Sequence, residues 1–239
     1  MVESSYLIVA LILGFGCFVQ SLIGFGLAIV AAPILLQLTP ELVPATVSLV
    51  AFLLSTITTW QYRKGLSVKG LGYAFVGRVP GTVLAGFAML YISATTFSIV
   101  MGVAVLFAVA VSLIKIELLP NNRNMLVAGF LSGLMGTTTS IGGPPMALIM
   151  QNSDAANIRA NLSLFFWVSS LMSLVALYLT GHFTSLHVKA ALMSLPTMLV
   201  GNLIAYRIAP HVDKKWIRYG LLVLCSVAGG MSLLRGLGL

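Results

Sequence analysis

"GTTTSIGGPP", Gly136 to Pro145, lies inside a run without a single charged residue, from Asn124 to Ser153. Four hydroxyl residues followed by two glycines and two prolines do not continue one apolar helix, because proline removes a backbone donor and glycine loosens the chain. In a hydrocarbon setting each N–H or C=O left unpaired at such a break costs on the order of several kcal/mol. The stretch therefore predicts two short helices meeting at a break in the protein interior or along a wet cavity. Glycine lets the chain turn, proline suits the first turn of the new helix, and hydroxyls cap N–H groups or donate to an anion. A half-helix that opens at mid-membrane presents partial positive charge, which favours a small anion.

The rest of the chain supports a membrane setting. Of 239 residues, 59% are hydrophobic and 8% charged, with a mean hydropathy of +1.06. Further charge-free windows run from Ser4 to Pro40, Leu42 to Tyr62, Val79 to Ile114, Ala160 to Gly181 and Ala190 to Tyr206, each near or beyond the roughly 20 residues that span a bilayer. The net charge of +8 sits in short clusters between apolar runs, a pattern of cytoplasmic loops rather than of a nucleic-acid face. Cys17 and Cys225 fall in apolar stretches and read as small buried hydrophobes. The N-terminal Met-Val-Glu-Ser-Ser lacks a basic region, so Tyr6 onward is expected to be a membrane element rather than a cleaved signal.

Working outward from Gly136, "QSLIGFGLAIVAAP" (Gln20 to Pro33) reads as a second break. "YRKGLSVKG" (Tyr62 to Gly70) is echoed by "YLTGHFTSLHVKA" (Tyr178 to Ala190), and "GRVPGTVLAG" (Gly77 to Gly86) by "MSLPTMLVGN" (Met193 to Asn202). The expected architecture is an all-α integral membrane protein of two inverted repeats, residues 1–118 and 119–239. Each repeat is a broken or re-entrant hairpin followed by three spans: hairpin 4–38 with spans 42–62, 70–91 and 95–115, then hairpin 124–151 with spans 157–180, 186–207 and 214–235. Placing Arg63, Lys64 and Lys69 in the cytoplasm brings Lys115, Arg123, Arg159, Arg207, Lys214, Lys215 and Arg218 inside too, with Lys189 and Arg235 outside. Both termini are then non-cytoplasmic. About 28 residues cannot cross the bilayer twice, so the second hairpin must enter and return on one face.

The candidate anion site comprises Gln20, Ser21, Gly24 and Gly26 from the first break and Thr137, Thr138, Thr139, Ser140, Gly142 and Gly143 from the second. Close helix packing through small residues, as in "GFLSG" (Gly129 to Gly133) and "GRVPG" (Gly77 to Gly81), is the competing explanation for such glycines. Arg78 is the one base well inside a span; it either snorkels to the cytoplasmic end or attracts the substrate. Asn161 and Asn202 either line the pathway or bond helix to helix. His182 and His187 read as solvated, and Trp60 and Trp216 as interface anchors. All five acids, Glu3, Glu41, Glu117, Asp154 and Asp213, fall near loops or ends, so no proton-carrying carboxylate stands out. No P-loop, metal-ligand set or buried nucleophile–histidine pair argues for an enzyme or a cofactor.

Q-S-x-x-G-F-G (Gln20 to Gly26) followed by Pro33, together with G-x-L-S-G-x-x-G-T-T-T-S-I-G-G-P-P (Gly129 to Pro145), resembles the sulfite exporter TauE/SafE family of bacterial anion transporters. The resemblance covers nearly the whole chain and implies secondary transport, usually export, of sulfite, sulfonates or related organic anions across the bacterial inner membrane. The first half departs from the family's more glycine-rich form at Gly24-Phe25-Gly26. The expected partners are a small sulfur-containing anion and the lipid bilayer, with no nucleic acid and with a homodimer left open. An anion channel and a non-transporting membrane assembly subunit are the alternatives.

Overall fold

The computed structural model describes residues 2–68, 70–113, 118–150, 155–209, 211 and 214–238. Lys69, Lys115, Glu117, Gln151, Asn152, Asp154 and Asp213 lie outside the described residues, as do the side chains of Glu3, Lys214, Lys215, Trp216 and Arg218.

The chain is all-helical; among the described residues no strand occurs. A first hairpin, α1 (Val2–Ile23) and α2 (Leu27–Leu38), is followed by α3 (Ala45–Tyr62), α4 (Leu71–Tyr91) and α5 (Ala94–Leu113). A second hairpin, α6 (Asn122–Thr139) and α7 (Gly143–Met150), precedes α8 (Ala155–Leu179), the pair α9 (Ser185–Met193) and α10 (Leu195–Ile208), and α11 (Lys214–Leu237). Among the described residues four helices are long and apolar enough to cross a membrane, and α9 with α10 makes a fifth crossing if the bent pair counts as one. That pair bends by 46° at Ser194, whereas the sequence reading has a single span there. Pro196 lies in the first turn of α10, where its missing N–H would otherwise be an unpaired donor. Pro80, at the matching place in the sequence echo, stays within the continuous α4.

Large apolar side chains such as Leu11, Phe15, Val83, Phe87, Val103 and Leu199 are exposed, while Arg78 and polar residues such as Ser48, Ser132, Thr137 and Ser173 are buried. This distribution suits a hydrocarbon solvent, where the surface need not be polar. The main helix pairings are α4 with α6, α5 with α11, α1 with α10, and α3 with α8. The two small-residue motifs pack on each other: a Cβ at Gly77 or Gly81 would collide with the carbonyl of Leu126 or Phe130, and one at Gly129 or Gly133 with that of Ala74 or Arg78. α4 and α6 thus meet backbone to backbone, which holds Arg78 at a fixed height beside the second break.

Both breaks require unusual backbone. Gly24 and Gly26 have φ of 105° and 132°, a region open to glycine at little cost. In the second break Ser140 takes φ 65° and ties itself to α3, donating to the Pro44 carbonyl at 2.8 Å and lying 3.0 Å from the Ser48 hydroxyl.

His187 corrects the solvated reading: it is buried. Its Nδ1 faces the Thr184 N–H at 3.0 Å and its Nε2 the Glu41 carbonyl at 2.9 Å. The ring therefore caps α9 and fastens it to the short connection between α2 and α3, and both nitrogens find partners without water. His182 is half-buried. Cys17 and Cys225 are buried. Trp60 is exposed at the end of α3 with the Arg63 guanidinium 4.1 Å from its ring centre.

Candidate functional site

The two breaks meet at a cavity with an accessible volume of about 40 Å³, room for roughly three waters or one small ion. Gln20, Gly26 and Ile29 border it from the first hairpin, Ser140, Gly142 and Gly143 from the second. The N-terminal ends of α2 and α7 therefore both reach the cavity. The first N–H groups of a helix have no partner within it, and they carry its positive dipole end. Ser48 and Ala51 of α3 and Phe166, Ser169, Ser170 and Ser173 of α8 complete the wall with Arg78.

Arg78 is 2% exposed. Its Nη1 donates to the Ser132 hydroxyl at 2.8 Å, and its Nη2 to the Ser173 hydroxyl at 2.9 Å and the Ser169 carbonyl at 3.0 Å. The guanidinium carbon lies 5.7 Å from the centre of the Phe165 ring. Its side chain is held in the interior and does not snorkel. Among the described residues Nε has no hydrogen-bond partner, and neither has the buried Ser169 hydroxyl. Glu41 is exposed, and among the described residues no carboxylate pairs with Arg78. Burying a cation against neutral groups alone is costly, and an ionisable group at membrane depth marks a functional position by default.

Local chemistry fixes the guanidinium. Ser132 accepts from Arg78 and donates to the Gly142 carbonyl, so one hydroxyl links the cation to the second break. Thr137 lies 2.9 Å from Ser173, extending the same network. A Cβ at Gly136 would come within 2.9 Å of Nη2, so that glycine leaves the space the guanidinium occupies.

The residues singled out in sequence divide accordingly. Gln20, Gly26, Arg78, Ser140, Gly142 and Gly143 come together at the cavity. Ser21 donates to Asn202 Oδ1 at 2.9 Å, the helix-to-helix alternative for that asparagine. Asn161 Oδ1 accepts from the Ser67 N–H at 2.9 Å. A Cβ at Gly24 would meet Leu162 and Arg159, and Arg159 donates to the Leu22 carbonyl at 3.4 Å, near the C-terminal end of α1. Thr138 and Thr139 belong to the last turn of α6, where their hydroxyls donate to the carbonyls of Leu134 and Met135. Ser132, Ser169 and Ser173 escaped the sequence reading. The signal that could have found the latter two is the Ser169-Ser170-x-x-Ser173 pattern, which puts polar groups on one face of an apolar span.

Comparison with known families matches residues 8–231 to the family described as Sulfite exporter TauE/SafE. No curated protein and no solved structure matches the chain. A match over nearly the whole length, with apolar helices following each of two broken hairpins, places the chain in the sulfite exporter TauE/SafE family of membrane anion transporters.

Proposed function

We propose that the protein is a secondary transporter of the bacterial inner membrane that exports sulfite or a small organosulfonate through the cavity between the two breaks. The observation that carries this reading is Arg78: a buried cation without a carboxylate among the described residues, bordering a cavity between two helix N-termini. An oxyanion there would neutralise the guanidinium and offer acceptors to Nε, to the first-turn N–H groups of α2 and to the Gly143 N–H that opens α7, where Pro144 and Pro145 have none to give. The small volume of the cavity favours a carrier over a channel.

The helix pairings support the inverted repeat of residues 1–118 and 119–239. Exchanging the halves carries α1–α10 into α6–α4 and leaves α3–α8 and α5–α11 as they are. With the termini outside, the binding site lies at the repeat interface, where alternating access requires it. An inside-negative potential favours anion efflux by about 2.3 kcal/mol per charge per 100 mV, so export needs no proton-carrying carboxylate.

The test is sulfite counterflow in proteoliposomes under an imposed voltage. Saturable exchange that vanishes in Arg78→Gln and net flux that follows voltage are expected. Flux that ignores voltage and tracks only a proton gradient overturns the coupling, and single-channel currents overturn the carrier.

A further inference from the structure

We infer that the central site continues into an apolar subsite, so that the preferred ligand is an aliphatic sulfonate with its oxyanion head at Arg78 and a short hydrocarbon tail between α2, α5 and α11. This rests on the central cavity being the anion site.

A second cavity, also about 40 Å³ in accessible volume, abuts the first: Gly26 and Ile29 line both. Past these two shared residues the lining changes from serines and an arginine to Val30, Ala108, Val109 and Leu222. Its two side chains with polar atoms are engaged. Cys225 Sγ donates to the Ile29 carbonyl at 3.5 Å and Ser112 Oγ to the Ala108 carbonyl at 2.8 Å. No charged side chain borders it among the described residues. A third space of about 140 Å³ shares Ile23, Phe25 and Ser112 with the second, so the tail has further room beyond the ring of Phe25.

The juxtaposition matches a ligand with two chemical ends. The head exchanges hydration for a guanidinium and helix dipoles. The tail exchanges water for aliphatic walls, and each methylene so buried strengthens binding about fourfold. A tail ending in an ammonium or a carboxylate would find no charged partner among the described residues to replace its water, and its binding would weaken. Taurine and sulfoacetate should therefore bind more weakly than ethanesulfonate, although all three carry the same head.

The experiment uses the full-length protein in proteoliposomes and measures inhibition of sulfite counterflow by methane-, ethane-, propane- and butanesulfonate, with taurine and sulfoacetate alongside. The expected result is a half-inhibitory concentration that falls about threefold to fourfold per added methylene, with the two polar-tailed sulfonates weaker than ethanesulfonate. In Val109→Phe, which fills the subsite, the ratio of butane- to methanesulfonate potency falls toward one. The chain-length series in the unaltered protein decides the matter even if that variant fails to fold. Equal potency along the series, preference for taurine or sulfoacetate, or an identical gradient for the matching alcohols, which report partition into lipid, overturns the subsite while Arg78-dependent sulfite exchange stands. Absence of Arg78-dependent exchange for sulfite and every sulfonate overturns the central site as well.

Discussion

Arg78 Nη1 donates to the Ser132 hydroxyl at 2.8 Å, and this one bond joins a helix of the first half to the broken hairpin of the second. The same hydroxyl holds the Gly142 carbonyl, so cation and break share a single positioning group. Ser132→Ala takes a partner from each, and leaving buried polar groups unmatched costs about 1–3 kcal/mol. Thermal unfolding should register that loss, and counterflow should show weaker sulfite binding. Thr138→Ala, which removes a hydroxyl bonded back to its own helix, should leave both measurements near those of the unaltered protein.

Arg78 itself separates stability from transport. Arg78→Met removes a buried charge that no carboxylate among the described residues neutralises, a costly group to hold in the interior, while Ser132 keeps the Gly142 carbonyl and Ser173 keeps Thr137 as partners. The melting temperature in detergent should hold or rise while sulfite flux falls by roughly two orders of magnitude, the scale expected for loss of charge-assisted hydrogen bonds. Arg78→Lys should recover only part of the flux, since one ammonium cannot reproduce a planar fork bonded to Ser132, Ser169 and Ser173.

Gly136→Ala places a methyl 2.9 Å from Arg78 Nη2. The guanidinium must shift, and overpacking of this kind costs about 1–3 kcal/mol. Flux should fall about tenfold, with most of the change in apparent affinity. An unchanged half-saturation concentration would show that the position of the guanidinium does not matter for binding.

Gly129→Val tests the backbone contact of α4 with α6. A side chain there runs into the Ala74 carbonyl, so the two helices must part along their whole crossing. The expected outcome is poor yield of monodisperse protein and a melting temperature well below that of Gly72→Ala, whose site has open space around it.

His187→Ala releases both the cap of α9 and its bond to the Glu41 carbonyl. A loss of about 1–2 kcal/mol is expected, read as a lower melting temperature. His187→Gln, which keeps one donor and one acceptor, should recover part of it.

Much of the fold was legible in the chain because its signals are local. Glycine and proline mark both breaks, and charges mark the ends of α3, α4 and α8. The bend at Ser194 was not, since Pro80 and Pro196 look alike in sequence and only one sits at a change of direction. The surroundings of Arg78 were hidden for another reason: Ser132 and Ser173 come from separate helices, and only tertiary packing brings them to one guanidinium. Conversely, Thr138 and Thr139 looked available because a sequence cannot show a hydroxyl turning back on the preceding turn. His187 was misjudged because its partner Glu41 lends a main-chain oxygen, which leaves no trace in side-chain identity.

Ser194, which the proposed repeat sets opposite Arg78, is buried and spends its hydroxyl on the Ala190 carbonyl. Under the proposed inverted repeat, a scaffold made of two equivalent lobes would have inward- and outward-facing forms related by a two-fold rotation and equal in energy. One lobe here holds a fixed cation and the other does not, which lifts that degeneracy: the unloaded protein should rest preferentially on one side of the membrane, and anion arrival should redistribute it.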